Sequence, residues 1–398
     1  MSAEPASHLP NDRLLDHIRA AARGMELSGI VAAMKYGFDR EGLIPLWAGE
    51  GDLPTPDFIC EAATRSLKAG ETFYTWQRGI PELRAALAQY HVAHYGIAPD
   101  PERFYITASG MQAIVMAFAL TIGEGDEIVI PTPSWPNAGA AADAAAAKPV
   151  FVPMLFDEHG FKPDFDRIAG AITRKTRAIF VNTPGNPTGW TATHEELRAL
   201  LALARKHGLW IVADEVYGRF YYGDAPRAPS FHDVMEPDDR ILFVNTFSKN
   251  WAMTGWRIGW IEADPSLGAV IENLIQASTS GVAVFMQRAA VVAIERGEDF
   301  VAHQVERARR GRDIVAKLAE SGRIRLIRPD GAFYQLLAVE GETDSRPLVF
   351  RLIDEANIGL APGTAFGPGA ENYMRLCFAR SPESLSDAVE RLTAWLKR

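Results

Sequence analysis

Two cations stand alone in an otherwise apolar stretch of the chain. Between Ile241 and Ile261 the only charged residues are Lys249 and Arg257, eight positions apart. Burying an unpaired charge is costly unless the group binds an anion or shifts its pKa. If this segment is buried, its two cations therefore need an anionic partner or an anionic ligand, or the lysine has a lowered pKa. The alternative is an exposed loop that carries both side chains in water.

Three more polar residues occur within, or just after, strand-like runs. Asp214 ends the run LWIVAD, where open parallel sheets present residues that contact ligands, and Tyr217 follows three positions later. Asp214 could instead cap a turn. Arg375 is the only charge in NYMRLCFA, and its planar fork suits a carboxylate. Either a ligand or an acidic residue of the chain could supply that carboxylate.

A possible anion site lies earlier in the chain. The run RFYITASG predicts a strand that leads into a helix beginning near Gly110, so the N–H groups of Gly110 and Met111 and the hydroxyl of Ser109 could face an anion. The sequence contains no GxGxxG, GxxxxGK[ST] or GxSxG pattern, which leaves dinucleotide, P-loop and hydrolase-elbow interpretations unsupported. The nine histidines form no metal motif, and His91 is predicted on the polar side of a helix over residues 82–95.

An α/β fold is predicted from the apolar pattern between about residues 104 and 262. Short apolar runs alternate there with helical patterns, as expected for parallel strands covered on both faces. Between two of these runs, Thr193 and Glu196 form a capping-box pattern and Gly208 ends the helix, which completes a βαβ unit. The seven runs are RFYITAS, EIVIP, PVFVPM, RAIFVN, LWIVADE, RILFVNTF and RIGWIEA.

The C-terminal part of the chain has a different pattern. After about residue 290, charged helices are followed by strand-like runs, which predicts an α+β domain with a sheet less buried than the first. The first fifty residues are too few to fold alone and are expected to pack with this part. We therefore predict a large domain over residues 51–288, with a mostly parallel seven-stranded sheet flanked by helices. The smaller α+β domain would combine residues 1–50 and 289–398.

Composition and charge argue against several classes of protein. The chain has 398 residues, 47% of them hydrophobic, and a net charge of −9, which argues against nucleic acid or an anionic membrane as partner. Cys60 and Cys377 are its only cysteines, so neither a disulfide framework nor a cysteine-based zinc site is expected. The longest uncharged apolar stretch, residues 112–122, is shorter than the ~18 residues of a membrane span. The N-terminal sequence also lacks the unbroken apolar core of a signal peptide, so the protein is predicted to be cytoplasmic.

Nine motifs, taken together and in order, make the sequence resemble a known family. It resembles the fold-type I pyridoxal-phosphate aminotransferases of the aspartate and aromatic aminotransferase class, over nearly its whole length. The motifs are YTWQRGIPELR with Tyr74 and Gly79, SGMQAI at 109–114, PSWPN at 133–137, NTPGNPTG at 182–189, ADEVY at 213–217, TFSKNWAMTGWRIGW at 246–260, GAFY at 331–334, PGTAFG at 362–367 and MRLCFA at 374–379.

The resemblance implies a role for each cofactor-binding residue. Lys249 would bind the cofactor aldehyde covalently, and Asp214 would keep the pyridine nitrogen protonated so that the ring accepts electrons. Asn186 and Tyr217 would hydrogen-bond the phenolic oxygen of the ring, and Trp135 would stack on its face. The phosphate would be held by Arg257, Ser109, Gly110, Met111, Thr246 and Ser248.

The resemblance also implies substrates and a partner. Arg375 would bind the substrate α-carboxylate, helped by the backbone near Gly49 and flanked by Trp135 and Asn186. Tyr74 would reach the cofactor phosphate of a neighbouring subunit, which implies a homodimer with shared sites. The implied activity is amino transfer between an L-amino acid and a 2-oxo acid by a ping-pong mechanism, with pyridoxal 5'-phosphate as cofactor.

The preferred amino donor stays open at this point. Met111 occupies a position that is often polar or cationic in the family, where a lysine is one way to bind a side-chain carboxylate. A second way is an arginine of the partner in the segment corresponding to STSGVAVFM, which has no basic residue here. Arg78 is the remaining candidate for that role. The sequence therefore leaves both dicarboxylate and apolar or aromatic donors open.

Two other functions compete with amino transfer on the same residues. A carbon–sulfur β-lyase on the same scaffold would use the same Lys249 and Asp214 but would release ammonia. A cofactor-sensing regulator would carry an N-terminal DNA-binding domain, and the fewer than fifty residues before WAGEGD are expected to leave no room for one.

Overall fold

The computed structural model describes residue 14 and residues 16–24 and 28–398. None of the helices in this part of the chain combines the length and apolarity that a membrane crossing needs. Helices α1 to α14 are Ala20–Arg23, Gly29–Gly37, Asp57–Lys68, Pro81–Tyr95, Gly110–Thr121, Pro136–Ala144, Phe165–Ala171, His194–His207, Phe247–Asn250, Gly268–Ser278, Val284–Arg296, Glu298–Ala316, Ser345–Ala356 and Pro382–Leu396. Strands β1 to β15 are Ile44–Pro45, Phe104–Thr107, Glu127–Thr132, Lys148–Pro153, Leu155–Asp157, Gly160–Lys162, Thr176–Asn182, Trp210–Asp214, Ile241–Thr246, Gly259–Glu262, Ile324–Leu326, Tyr334–Val339, Ile358–Gly359, Ala361–Pro362 and Tyr373–Cys377.

The seven predicted strand runs form one seven-stranded sheet in the order β2-β10-β9-β8-β7-β3-β4. Its strands are parallel except β10, which is antiparallel to both β2 and β9. The expectation of a parallel strand is therefore wrong for the run RIGWIEA. The connection from β9 to β10 holds only residues 247–258 with the short helix α9. Such a short connection returns the chain at the same end of the sheet, which makes the two strands antiparallel.

Helix α8 shows how local sequence determines the crossovers of this sheet. The Thr193 side chain accepts a hydrogen bond from the N–H of Glu196, whose side chain in turn accepts one from the N-cap backbone. Gly208 ends the helix at a φ of 66°, a conformation that a side chain would strain. Leu197 and Leu200 are buried in the core cluster on this face of the sheet. The predicted capping box and helix end are confirmed.

A second sheet, in the order β11-β12-β15-β14, forms the centre of the C-terminal part. Every residue of β12 and β15 is buried, so the expectation that this sheet is less buried than the first is wrong. Leu336 and Ala338 lie in one apolar cluster with Phe161, whereas Leu337 lies in another with Leu352. Because successive residues of a strand point to opposite faces, both faces of this sheet are covered.

The segment over residues 28–50 packs against the C-terminal part, as expected. Strand β1 pairs in parallel with β13, with Ile44 opposite Ile358. Helix α2 contacts helix α13 and strand β14. The exact division into a domain of residues 51–288 and a second domain stays a prediction.

A buried ion cluster joins helix α4 to the large sheet. His91 in α4 and His232 place their Nε2 atoms 3.1 Å and 2.8 Å from one carboxylate oxygen of Glu262 in β10. Arg103 Nε lies 3.1 Å from the other oxygen. Because His91 is only 3% exposed, the prediction that it lies on the polar side of its helix is wrong. The signal in the sequence was the glutamate within the apolar run RIGWIEA, which needs buried cationic partners.

The cluster changes how its members titrate. Burial alone lowers the pKa of His232, but the charge and hydrogen bond of Glu262, together with the charge of Glu215, outweigh burial and raise it. Burial raises the pKa of Glu262, but the charges and hydrogen bonds of His232 and His91 hold it well below its usual range. A histidine whose pKa is raised on folding stabilises the protein below its unfolded pKa. That stabilisation is lost as the pH rises through the folded pKa.

We expect the substitution His232→Gln to lower the free energy of unfolding by about 3 kcal/mol at about pH 5.5, because Glu262 loses a buried cationic partner. The loss should shrink as the pH rises to about 9, because the histidine then becomes neutral in the wild type as well. Urea denaturation at both pH values measures the difference. His159→Gln, at a histidine with an 85% exposed side chain, is the control and should cost little at either pH. An equal loss for His232→Gln at both values would argue against a charged pair.

Candidate active site

A cavity of about 460 Å³ lies where three parallel strands of the large sheet end. Asn182, Asp214 and Thr246, the last residues of β7, β8 and β9, line it. Its volume is within the range of ~300–1,000 Å³ that is typical of small-molecule sites. The other lining residues are Ile30, Met34, Trp47, Ala48, Gly49, Glu50, Gly110, Met111, Ile114, Trp135, Asn137, Asn186, Val216, Tyr217, Ser248, Lys249, Thr254, Arg257, Tyr334 and Arg375.

The fold brings nearly all of the predicted site residues to this one cavity. They come from segments far apart in the sequence, including both sheets and the stretch before helix α3. Ser109 and Tyr74 are the two predicted residues that do not line it. Those that do are Gly49, Gly110, Met111, Trp135, Asn186, Asp214, Tyr217, Thr246, Ser248, Lys249, Arg257 and Arg375.

Lys249 carries a reactive amine in this cavity. It lies in the short helix α9, and its Nζ donates a hydrogen bond to the carbonyl oxygen of Gly49 at 2.7 Å. Loss of water around the amine is the main cause that lowers the pKa of Lys249 to about 8, and the cations Arg375 and Arg257 act in the same direction. About a tenth of the amine is therefore neutral at pH 7 and about half at pH 8, and the neutral form acts as a nucleophile or base.

Asp214 presents a buried carboxylate with one free oxygen. The residue is 3% exposed, and its Oδ1 atom has no hydrogen-bond partner among the described residues. Burial raises the pKa of Asp214 to about 7, against a smaller opposing effect of Lys249. A buried acceptor without a donor is costly, so this oxygen is suited to a cationic N–H group of a ligand.

An anion cradle is present at the start of helix α5. Gly110 and Met111 are its first residues, and the first N–H groups of a helix have no partner inside the helix. Thr246 and Ser248 add hydroxyl groups to the same cavity, and Arg257 adds a guanidinium. The cradle therefore combines N–H groups, hydroxyls and a positive charge, as a phosphate requires.

Ser109 supports this cradle from behind. Its hydroxyl accepts a hydrogen bond from the backbone N–H of Gln112 at 3.1 Å and so caps the helix. Gly259 in β10 packs directly against this turn, because a Cβ atom there would lie only 2.7 Å from the nitrogen of Gly110. The helix start is thus fixed from two sides.

Arg375 is a buried cation without a carboxylate partner in the described part of the chain. Its guanidinium donates to Asn186 Oδ1 at 2.9 Å and to the carbonyl oxygen of Trp47. The rings of Tyr334 and Phe366 lie 4.6 Å and 4.9 Å from its guanidinium carbon. The sequence left two sources of a carboxylate open, a ligand or an acidic residue of the chain. Among the described residues, no acidic side chain contacts the guanidinium of Arg375. The group is therefore prepared for a carboxylate from a ligand.

Several lining residues were missed by sequence reasoning. Asn182 could have been found, since it ends a parallel strand just as Asp214 does. Tyr334, whose hydroxyl lies 2.7 Å from that of Tyr217, carries no local signal of this kind. Ile30 and Met34 come from helix α2, which the sequence placed in the other part of the molecule.

Besides Ser109, the predicted residue Tyr74 and the candidate substrate anchor Arg78 lie outside this cavity. The guanidinium of Arg78 forms ion pairs with Glu102 and Glu272 and lies over the ring of Tyr105. Arg78 is therefore engaged inside its own chain, and the structure gives no support to it as the second anchor of a substrate. Tyr74 is 94% exposed and contributes nothing to the cavity of its own chain.

Comparison with known proteins identifies similar chains over nearly the full length. Residues 41–392 match a family model described as aminotransferase class I and II. An aspartate aminotransferase of Pyrococcus horikoshii is 36% identical over 356 residues, which cover 88% of this chain and 90% of that protein. Aromatic-amino-acid aminotransferase 2 of Thermococcus litoralis is 34% identical over 361 residues, covering 90% and 92%. The solved structure of Thermus thermophilus aspartate aminotransferase with maleate superposes with a TM-score of 0.87 at 34% identity, covering 95% and 99%.

The buried carboxylate makes a prediction for the ligand-free protein. The pKa of Asp214 is about 7 in the folded protein, whereas its ordinary value is 3.8. The ionised group therefore destabilises the folded protein increasingly as the pH rises above the ordinary value, and the effect is complete above the folded pKa. Asp214→Asn should therefore raise the free energy of unfolding at about pH 8.5 by at most about 4 kcal/mol, and by almost nothing near pH 4.

Thermal or urea unfolding of the ligand-free proteins at both pH values measures this effect. Asp166→Asn, at an exposed position of helix α7, is the control and should change stability little. A variant Asp214→Asn that is less stable than the wild type at high pH would contradict an unpaired carboxylate.

Proposed function

The chain belongs to the aminotransferase class I and II family, and from this premise we propose that its cavity binds pyridoxal 5'-phosphate and transfers amino groups with it. The chain is an aminotransferase. The proposal concerns the cofactor, the residues that hold it, the ping-pong order and the donor. In that order, an L-amino acid is converted to its 2-oxo acid before a second 2-oxo acid enters.

One observation carries this proposal. A reactive amine, a free buried carboxylate oxygen and a buried guanidinium face the same cavity, on Lys249, Asp214 and Arg375. None of the three has an oppositely charged partner within 4 Å among the described residues. A cofactor with an aldehyde and a protonated ring nitrogen, together with a substrate that carries a carboxylate, would satisfy all three of these groups.

The groups that line the cavity suit both the ring and the phosphate of this cofactor. The free oxygen of Asp214 would accept a hydrogen bond from the ring nitrogen, and the start of helix α5 with Arg257 would bind the phosphate. Ser248 would donate a hydrogen bond from its hydroxyl to the phosphate, Thr246 would support that hydroxyl from 2.9 Å away, and Met111 would contribute its N–H group. Trp135 would cover the ring, and Asn186 with Tyr217 would bind its phenolic oxygen.

The residues then divide the work of the reaction. When bound, the cofactor supplies an aldehyde for the amino group and a ring that accepts electrons from the substrate Cα. Arg375 binds the α-carboxylate and so orients the Cα–H bond towards Lys249. The amine of Lys249, with its lowered pKa, takes up that proton as a general base. Asp214 holds a proton at the ring nitrogen, which favours the negative charge that develops.

The β-lyase alternative has no support in the comparisons, which name aminotransferases. The two activities differ in a measurable product. An aminotransferase mixed with an amino acid alone releases one equivalent of 2-oxo acid and then stops. A lyase releases ammonia continuously.

The walls of the cavity favour an uncharged amino donor. Ile30, Met34, Met111 and Ile114 form apolar parts of the lining, and the only acidic residue in it besides Asp214 is Glu50. Every cation that lines the cavity already has a role in binding the cofactor or the α-carboxylate. A side-chain carboxylate would lose its water there without gaining a partner. We therefore propose donors with apolar or aromatic side chains.

A homodimer with shared sites is part of the proposal. Phe73, Tyr74 and Trp76 are 83%, 94% and 69% exposed, and adjacent exposed aromatic side chains mark a surface that another molecule covers. A second copy of the chain would receive Tyr74 at its cofactor phosphate. A cytoplasmic location, predicted because the sequence shows no signal-peptide pattern, stays a prediction.

We expect borohydride reduction of the cofactor-loaded enzyme to attach the cofactor to Lys249, because the neutral amine is the group that reacts with an aldehyde. Mass spectrometry of a tryptic digest should find the label on one peptide, and Lys249→Arg should abolish it. In the cofactor-loaded enzyme before reduction, an amino acid added alone should release one equivalent of 2-oxo acid without ammonia. A label on another lysine would refute the proposed site.

We expect Met111→Lys to raise kcat/KM for aspartate about tenfold, because a charged donor to a carboxylate contributes ~1.5–3 kcal/mol. The value for phenylalanine should fall. Steady-state rates with both donors and one common 2-oxo acid measure the switch. Met111→Gln, of similar length but uncharged, is the control and should not favour aspartate. A wild-type enzyme that prefers aspartate to phenylalanine would contradict the donor proposal.

A further inference from the structure

Tyr334 contacts two residues with separate roles in the proposed reaction. It is the first residue of β12 and is fully buried from solvent. Its hydroxyl oxygen lies 2.7 Å from that of Tyr217, and the two rings meet edge to face with centroids 5.6 Å apart. The same ring covers the guanidinium of Arg375, 4.6 Å from its carbon atom. One side chain therefore touches the residue proposed to bind the cofactor oxygen and the one proposed to bind the substrate carboxylate.

The hydroxyl proton of Tyr334 can form only one hydrogen bond in this structure. Among the described residues, its only hydrogen-bond partner is the hydroxyl of Tyr217. A ligand oxygen that accepts the proton of Tyr217 would leave Tyr334 as the donor and Tyr217 as the acceptor in this pair. The proton of Tyr217 then stays free to point into the cavity. In that arrangement Tyr217 acts as a donor towards a bound ligand.

The ring of Tyr334 has a different effect from its hydroxyl. Arg375 lies between the rings of Tyr334 and Phe366, and its guanidinium donates to Asn186 and to the Trp47 carbonyl. Two aromatic faces fix the plane of the guanidinium and favour its positive charge. This contact needs the ring and not the oxygen. The two effects can therefore be separated by substitution.

We propose that Tyr334 is a positioning residue of this aminotransferase, in which the hydroxyl orients the proton of Tyr217 and the ring holds Arg375 for the carboxylate. This inference rests on the proposed cofactor site. It adds a coupling between the two halves of the cavity, because one buried side chain of the second sheet supports both. Tyr334 in β12 lies opposite Cys377 in β15, two positions from Arg375, so the paired strands place Tyr334 and Arg375 on the same face.

The substitution Tyr334→Phe removes only the hydroxyl. The proton of Tyr217 is then free to turn away from the cavity, and the phenolic oxygen of the bound cofactor loses a reliable donor. That oxygen would hold the nearby proton of the Lys249 linkage more tightly. We expect the pH midpoint of the visible absorbance change of the loaded enzyme to move upwards. We also expect kcat to fall about tenfold while KM for the amino donor changes little.

The substitution Tyr334→Leu removes the ring as well. It should shift the absorbance midpoint as Tyr334→Phe does and, in addition, raise KM for the amino donor about tenfold, because Arg375 loses an aromatic face. Tyr222→Phe is the matched control, since this buried tyrosine donates to the carbonyl of Ala332 outside the cavity lining. It should leave the midpoint, kcat and KM close to the wild-type values.

The outcomes separate this inference from the proposed function. A wild type without a borohydride-sensitive absorbance would overturn the cofactor site itself. If the wild type has that absorbance and Tyr334→Phe keeps both its midpoint and its kcat, Tyr334 only fills space and the inference is wrong. A shift in Tyr222→Phe as large as in Tyr334→Phe would also count against it. Titration of the absorbance before any turnover makes the result independent of activity.

Discussion

Charges that are buried without partner charges determine how this molecule is built. Arg375 and Asp214 are 2% and 3% exposed, yet neither has an ion-pair partner among the described residues. Such groups weaken a protein unless a ligand supplies what they lack. The shifts in pKa follow from the same constraint, since burial raises the pKa of Asp214 and lowers that of Lys249. The rest of the fold has to hold these groups in place against that cost.

Two buried sheets provide that rigidity. The large sheet presents Asp214 and Thr246 at the ends of parallel strands, where the chain leaves the sheet and side chains can face a ligand. The second sheet presents Tyr334 and Arg375 from paired strands that are buried at every position. Because neither strand pair can move without disturbing an apolar cluster, the charged groups keep their separation when no ligand is bound.

The cluster around Glu262 shows the opposite solution to the same problem. There the buried carboxylate receives His91, His232 and Arg103, so its charge is neutralised within the chain. Such a group stabilises the packing of helix α4 on the sheet, and both of its oxygens have cationic partners within the chain. The comparison of Glu262 with Asp214 distinguishes a carboxylate that is buried to stabilise the fold from one that is buried to bind a ligand. Both carboxylates are buried, but only Asp214 retains an oxygen without a partner.

The sequence by itself determined the seven strands of the large sheet, the ends of helix α8 and most of the charged residues of the site. Apolar runs, the capping box at Thr193 and a lone cation such as Lys249 are visible because they depend on neighbouring positions. Tertiary structure alone decided the direction of strand β10, the burial of the second sheet and the ion pairs that occupy Arg78. The contact between Tyr217 and Tyr334 joins residues 117 positions apart. The free energy of a buried group depends on what surrounds it in space, and local sequence carries no record of neighbours so distant.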